Sequence, residues 1–368
     1  MSISLKVDSI ASWSFYVCAC IFRKTQAIRL KLCLFLIVVL SVLLVLLMTN
    51  SIENNSTYEF PEYVLLNETE DQLTVNITEE DILDSAPGLL LLLIHASGKE
   101  VGKERRDAIR ATWVSEIDAI SEELGQEISY KFVLGGFNVS AVVMQNLSIE
   151  NKIYKDMIFL QNVPDTHASL SLRTLQGFEY YRNTSMNYQY VMKCDDDTFV
   201  HLKTVAKELK EMNGEGRLYW GEFLGASNVI TEGIYAEYKW YQCDSYVPYA
   251  YGGGYVLSSD LVELLAINAP YLRVYKNEDV SVGAWLAPYS ISNRFDARFN
   301  AGSISRGCKR QFIVSHKISP EMMYSYFASL TRDGYFCSRK NRWYGMRGHT
   351  YNWKRIPSKC CRHSRRIP

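Results

Sequence analysis

The run Leu89-Leu90-Leu91-Leu92-Leu93-Ile94 restricts the fold of this chain more than any other stretch. Consecutive aliphatic residues leave a strand no polar side to turn toward water, so such a strand is buried on both faces. A layer of structure is therefore required above it and below it. Pro87-Gly88 stands just before the run and marks a domain start. Beyond it the pattern alternates. Glu104–Trp113 has helical spacing, Tyr130–Leu134 and Asp156–Leu160 read as strands, and Leu170–Tyr181 as a helix. Tyr188–Met192 reads as a strand and Leu202–Met212 as a helix. Strands alternating with helices predict an α/β domain around a mainly parallel sheet. The second half is less regular, with strands at Arg217–Phe223, Tyr255–Leu257 and Gln311–Ser315. Helices are expected from Ser259 to about Ile267 and over Glu278–Leu286.

Residues 87–368 are thus read as one folded domain, and the segment before it is different in kind. Leu32 to Met48 is apolar except for Cys33 and Ser41, a length at the short end for a spanning helix. Arg23, Lys24, Arg29 and Lys31 precede it, which places the N-terminus on the cytoplasmic side. The run starts late and lacks a small-residue cleavage site, so an uncleaved anchor at 32–48 is expected rather than a cleaved signal peptide. Residues 1–31 then form a cytoplasmic tail and 49–86 an acidic lumenal stem. Asn-x-Ser/Thr sequons begin at Asn54, Asn55, Asn67 and Asn76 in the stem, and at Asn138, Asn146 and Asn183 beyond it. A short span fits an early secretory membrane. Past the anchor lie Cys194, Cys243, Cys308, Cys337, Cys360 and Cys361, enough for three disulfides in an oxidising compartment. Cys194, in an apolar strand, also reads as a buried thiol. Lys+Arg and Asp+Glu both total 40, so no basic footprint for nucleic acid is expected.

The most informative polar stretch is Lys193-Cys194-Asp195-Asp196-Asp197. Adjacent carboxylates after an apolar strand repel one another unless a cation neutralises them. Oxygen ligands of this kind suit Mg²⁺ or Mn²⁺ together with phosphate oxygens. In open α/β sheets, ligands bind beyond the carboxyl ends of the strands, where these residues fall. His316 ends a later strand and is a competent third ligand, with Lys317 next to it. Glu278-Asp279 opens a candidate helix; local physics makes it a favourable N-terminal charge pair, and its chemistry also suits a general base. Gly252-Gly253-Gly254 either allows close backbone approach to a ligand or makes a tight loop before a strand. Arg105, Arg106 and Arg110 lie on the first helix, where guanidinium groups suit diphosphate recognition or form a solvated basic face. The 25 Tyr residues are compatible with a sugar-binding cleft and equally with a core.

Together these stretches resemble the β-1,3-glycosyltransferase family, which includes β-1,3-galactosyltransferases, β-1,3-N-acetylglucosaminyltransferases and fringe-type enzymes. The resemblance rests on Arg105 to Trp113, Lys193 to Asp197, Gly252 to Ser258 and Glu278 to Gly283, in that order. Cys243 to Gly254, Gly283 to Pro288, Ser305 to Cys308 and Pro357 to Cys361 are most similar to the subgroup that builds the proteoglycan linkage region. Many members carry Asp-x-Tyr-x-Asn-Leu-Thr-x-Lys-Thr where this chain has Asp165 to Thr174. Here His167, Ser169, Ser171 and Arg173 replace Tyr, Asn, Thr and Lys, so Asp165 alone is carried over. The resemblance implies a GT-A-like fold with a Rossmann-like donor half and an inverting galactosyl transfer. It implies UDP-galactose as donor and galactosyl-xylose on a proteoglycan core protein as acceptor, with Mn²⁺ ahead of Mg²⁺ and a Golgi membrane location. It implies Asp279 as the catalytic base and Asp195, Asp197 and His316 as metal ligands. Arg105, Arg106, Arg110, Asp165, Asp195, Asp196 and Lys317 are implied on the donor side, and Tyr251, Gly253, Gly254 and Glu278 on the acceptor side. A relative with another donor or acceptor, or a non-catalytic lumenal binding protein, are the alternatives.

Overall fold

The computed structural model describes residues 86–336 and 348–364. The expected tail, anchor and all of the stem up to residue 85 lie outside the described residues. Among the described residues no helix is long and apolar enough to cross a membrane.

The Leu89–Ile94 run becomes β1 (Gly88–His95), with every residue buried. It sits inside a seven-stranded sheet of order β3-β2-β1-β4-β7-β6-β8. The other strands are β2 (Ile128–Phe137), β3 (Met157–Pro164), β4 (Tyr188–Asp195), β6 (Leu218–Leu224), β7 (Tyr249–Ser258) and β8 (Ser292–Phe295). β1 pairs in parallel with β2 and with β4, and β2 pairs in parallel with β3. β7 runs antiparallel to both β4 and β6. The sheet is therefore mixed: parallel in the first half, as the alternation predicts, and interrupted by β7 in the second.

Helices cover both faces. Those described are α1 (Glu100–Ala111), α2 (Ile117–Leu124), α3 (Ala141–Tyr154), α4 (Leu170–Arg182), α5 (Leu202–Glu211), α6 (Ser259–Asn268), α7 (Glu278–Leu286) and α8 (Pro320–Asp333). Alternate residues of β1 feed two separate cores. Leu90, Leu92 and Ile94 join Ile109 and Trp113, while Leu91 and Leu93 join Leu175, Phe178 and Leu261. A second sheet of β5 (Thr198–Val200), β10 (Val314–His316) and β9 (Phe299–Asn300) lies in the order β5-β10-β9. β11 (Gly348–Tyr351) and β12 (Cys361–Ser364) form an antiparallel pair.

Two expectations change here. Gly252-Gly253-Gly254 is not a loop before the strand; it lies inside β7, and Gly254 pairs with Cys194. Three disulfides are not formed either: Cys194, Cys243, Cys360 and Cys361 carry free thiols, and Cys308 is disulfide-bonded. Cys194 is fully buried, so the buried-thiol reading of that residue holds.

Candidate active site

From β1 the chain moves outward to β2 and then β3 on one edge, and β4 returns to the other edge of β1, so the strand order reverses between neighbours β1 and β4. A crevice opens at such a reversal. His95 and Asp195 are register partners at the two strand ends, so the three aspartates emerge there. Their side chains separate by environment. Asp196 turns toward α1, where Oδ1 accepts from Arg105 at 2.7 Å and Oδ2 from the Ser97 N–H at 3.3 Å. Burial pushes its carboxyl up to about 6 against the pull of Arg105. Asp195 and Asp197 face His316 instead. Burial opposes ionisation of both, yet Lys193 holds Asp195 well below the usual carboxylate range, and His316 lowers Asp197.

His316 reaches this point because of pairing. β10 runs antiparallel to β5 with His316 opposite Thr198, and the Ile318 N–H donates to the Asp197 carbonyl at 2.9 Å. Lys317 turns the chain between them with φ of +63°, a conformation a non-glycine residue adopts sparingly. The imidazole lies flat on Gly253, where a Cβ would sit 2.5 Å from its ring and 2.5 Å from the Ala301 carbonyl oxygen. A glycine is therefore required beneath the ring.

Asp195, Asp197 and His316 bring one ligand atom each within 4.8 Å of one another. Nδ1 of His316 is 3.2 Å from the Gly302 carbonyl oxygen, which fixes the proton on Nδ1 and leaves the Nε2 lone pair free. Nε2 lies 2.9 Å from Asp197 Oδ1 and 3.4 Å from Asp195 Oδ2, yet it is buried and aligned with neither as a hydrogen bond. A nitrogen lone pair converging with two carboxylate oxygens is a donor set that fits a divalent cation. Without a cation the same carboxylates, working against burial, raise the imidazole to about 9.

Opposite the triad stand Glu278 and Asp279 at the start of α7. Glu278 is buried and fully engaged: Tyr255 OH donates to Oε1 at 2.6 Å, Thr174 Oγ1 to Oε1 at 3.2 Å, and Lys193 Nζ to Oε2 at 3.0 Å. Asp279 is half-buried and accepts from the Val280 N–H at 2.9 Å and the Gly252 N–H at 3.3 Å. Burial, reinforced by the Glu278 charge, pushes its carboxyl up to about 6. A carboxylate tuned this way is ionised near neutrality and is a better proton acceptor than an ordinary one. Asp195 and His316 of the triad line one cleft together with Glu278 and Asp279.

Of the sequence candidates, Asp195, His316, Lys317, Tyr251, Gly253, Glu278 and Asp279 line this cleft. Lys317 Nζ lies 3.4 Å from Asp197 Oδ2. Arg105 reaches the same carboxylate cluster, with NH2 3.6 Å from Asp197. Arg106 and Arg110 point elsewhere. Arg106 is buried in a bidentate pair with Glu150, and Arg110 grips Asp156 with two nitrogens while resting on the Tyr154 ring. Their donors are spent on tying α1 to α3 and β3. Asp165 supports the β1–α1 loop through Ser97 Oγ and the Gly98 N–H, and is held by Arg173. Gly254 faces Val314 rather than the cleft. The sequence reading assigned no role to Lys193, Thr174 or Tyr255. Lys193 left a signal: it is the one basic residue of β4, flanked by Met192 and Cys194 inside an otherwise mostly apolar and aromatic strand.

A cation-binding triad and a tuned carboxylate sharing one cleft at a sheet reversal fit a glycosyltransferase, which joins a nucleotide-sugar donor to a glycan acceptor, and relatives of this chain show that class. Residues 104–296 match the model of the Galactosyltransferase family, and the chain belongs to that family. It is 34% identical over 288 residues to mouse (Mus musculus) beta-1,3-galactosyltransferase 6, covering 77% of this chain and 85% of that protein. It is 31% identical over 241 residues to human (Homo sapiens) beta-1,3-galactosyltransferase 1, covering 64% and 72%. A Xenopus laevis UDP-GalNAc:beta-1,3-N-acetylgalactosaminyltransferase 2 is 29% identical over 200 residues, covering 53% and 39%.

Proposed function

We propose that this enzyme is an inverting β-1,3-galactosyltransferase. In this reading it moves galactose from UDP-galactose to galactosyl-xylose on proteoglycan core proteins, from a Golgi membrane held by residues 32–48. The observation that carries the chemistry is that Asp279 shares one cleft with Asp195 and His316, with Asp197 completing their triad. The substrate assignment rests on the sequence tracts shared with the linkage-region subgroup, and the likeness to mouse beta-1,3-galactosyltransferase 6 supports β-1,3-galactosyl transfer. Asp195, Asp197 and His316 would hold Mn²⁺, which when bound stabilises charge on a departing diphosphate. Asp279 accepts the proton of the acceptor 3-hydroxyl as that oxygen attacks the anomeric carbon. Attack from the side opposite the α-linked diphosphate gives the β bond. Arg105 and Lys317 flank the triad and supply positive charge toward the donor, and Tyr251 offers a ring and hydroxyl on the acceptor side.

The test is transfer by the full chain in detergent, with and without Mn²⁺. UDP-galactose, UDP-N-acetylglucosamine and UDP-N-acetylgalactosamine are offered as donors. Galactosyl-β-1,4-xyloside, N-acetylglucosaminides and galactosides are offered as acceptors. Galactose transfer confined to galactosyl-xyloside and lost on chelation supports the assignment. Efficient transfer to a different pair keeps the enzyme class and discards this substrate.

A further inference from the structure

The polar contacts of the cleft converge on one lysine that no step above uses. Lys193 is 1% exposed, and its ammonium donates to Asp195 Oδ1 at 2.9 Å, to the Gly252 carbonyl at 2.7 Å and to Glu278 Oε2 at 3.0 Å. Its three donors are thus divided among β4, β7 and the start of α7. We propose that the Lys193–Glu278 ion pair is the positioning device of this site, fixing Asp279 against the acceptor while choosing which oxygen of Asp195 faces the triad. The inference rests on the reading of Asp279 as the base.

Two connected arms make the case. On one, Lys193 occupies Oδ1 of Asp195, so Oδ2 is the oxygen left toward His316, 3.4 Å away. On the other, the residue whose carbonyl binds Lys193 is Gly252, and its N–H donates to Asp279 Oδ2. Gly252 also makes room for the pair: a Cβ there would stand 2.7 Å from Glu278 Oε2. Glu278 itself has its oxygens filled by Lys193, Tyr255 and Thr174. It therefore supports Asp279 rather than touching the acceptor. A buried ion pair contributes little net stability against apolar replacements, and its best-attested use is to specify one arrangement.

The charges facing Asp279 are Glu278 on its own helix and Lys193 from β4. Tyr249 and Tyr251 from β7 and Tyr246 from the preceding loop also face it, and burial raises all three, which keeps them neutral. Asp195, His316, Lys317, His167 and Lys276 line the same cleft and are unchanged in the variants below.

The experiment measures pH profiles of kcat/KM for the full chain in detergent, with UDP-galactose and galactosyl-xyloside. Glu278→Gln removes a negative neighbour and should move the acid limb down by about 1 pH unit; Lys193→Met should move it up by a similar amount. Glu278→Gln should lower kcat on the order of 10- to 100-fold with the donor KM within about twofold; Lys193→Met should lower kcat similarly and, because it frees Asp195 Oδ1, also raise the metal concentration needed for activity. Tyr255→Phe keeps the charge and nearly the volume, and loses one donor to Glu278. It should fold normally, lower kcat and leave the limb in place, which keeps the test open if Lys193→Met fails to fold. A merely structural pair would reduce the active fraction and leave every limb where it was, overturning the proposal. So would a Glu278→Gln enzyme with unchanged kcat and a raised acceptor KM, which would put Glu278 on the acceptor. Asp279→Asn, run alongside, separates the two readings: if it still turns over, the base assignment has failed, and if it is inactive while the limbs stay fixed, the ion-pair proposal alone has failed.

Discussion

Asp279→Asn should cost activity and gain stability, in a way that depends on pH. An ordinary aspartate titrates near 4, and burial beside Glu278 raises Asp279 to about 6. A gap of about 2 pH units corresponds to about 3 kcal/mol of destabilisation once the folded group is ionised. The side chain is half-buried and opens on the cleft, and solvent screening reduces this to about 2 kcal/mol. Asparagine keeps one acceptor but turns an amide toward the Gly252 N–H, losing about 1 kcal/mol of hydrogen bonding. The net gain is about 1 kcal/mol, or roughly 2–4 °C in Tm for a domain this size. The sign follows from proton binding. Below pH 4 the carboxyl is protonated in both states and costs nothing. Between 4 and 6 the unfolded chain releases the proton first, and above 6 the whole penalty is present. The variant should therefore melt higher than wild type at pH 8 and level with or below it at pH 4. Turnover should fall about 10³-fold at pH 8, where the wild-type carboxylate is ionised, and by less at pH 4, where the wild-type base is itself protonated, with donor binding retained. Thermal melts at several pH values, paired with steady-state transfer, check this. Retained turnover refutes the proton-acceptor role. A variant that is equally destabilised at every pH refutes the account of Asp279 as a strained, buried charge.

Further outcomes follow from other residues of the site. Gly253→Ala places a methyl inside the His316 ring and the Ala301 carbonyl; the ring must move, and Mn²⁺ titrations of activity and of metal binding should show about 10- to 100-fold weaker affinity. Arg105→Ala should raise the KM for the nucleotide-sugar donor with a small effect on Tm, because that side chain is 30% exposed beside the triad. Arg106→Ala should do the reverse, leaving buried Glu150 with Arg110 as its remaining cation and costing less than the roughly 3–5 kcal/mol of a fully orphaned buried charge, with the donor KM of the folded fraction unchanged. A raised donor KM in a fully stable Arg106→Ala protein would contradict the assignment of its guanidinium to Glu150.

The parallel half of the fold was legible because β1 and β4 are buried on both faces, and continuous apolar runs report that directly. The helices α3 and α8 were not. α3 buries only Leu147 and Glu150, leaving Val142, Ile149 and Ile153 exposed, so the usual amphipathic stripe is absent. β7 was cut short at Tyr255 because three glycines read as a turn, whereas each is there for packing. Gly252 is crowded by Glu278, Gly253 by His316 and Gly254 by Val314. The triad was legible as a set of residue types, but the pairing of β10 with β5 that delivers His316 spans more than a hundred residues and leaves no local trace. Spacing on α1 put Arg106 and Arg110 on one face, which holds; their partners Glu150 and Asp156 come from α3 and β3, and no spacing rule on α1 reveals them.

The charge balance of the cleft gives a reason for this division of labour. Asp196 and Arg105 neutralise each other at its edge. Among the described lining and ligating groups there remain the carboxylates Asp195, Asp197, Glu278 and Asp279, against the ammonium groups of Lys193, Lys276 and Lys317. With neutral imidazoles and all four carboxylates ionised, the excess is one negative charge, so a bound divalent cation would leave the cleft net positive by one, a balance that suits an anionic nucleotide-sugar donor. Lys193 cannot serve as that counter-ion for the triad, because its donors are shared with Glu278 and Gly252. Lys317 touches Asp197 only at 3.4 Å from a half-exposed position. A protein that had no use for a cation could relieve the same repulsion by protonating His316, at the cost of occupying the nitrogen that Gly302 leaves free. Competition between the proton and a divalent cation for one set of atoms then makes apparent metal affinity fall as pH drops.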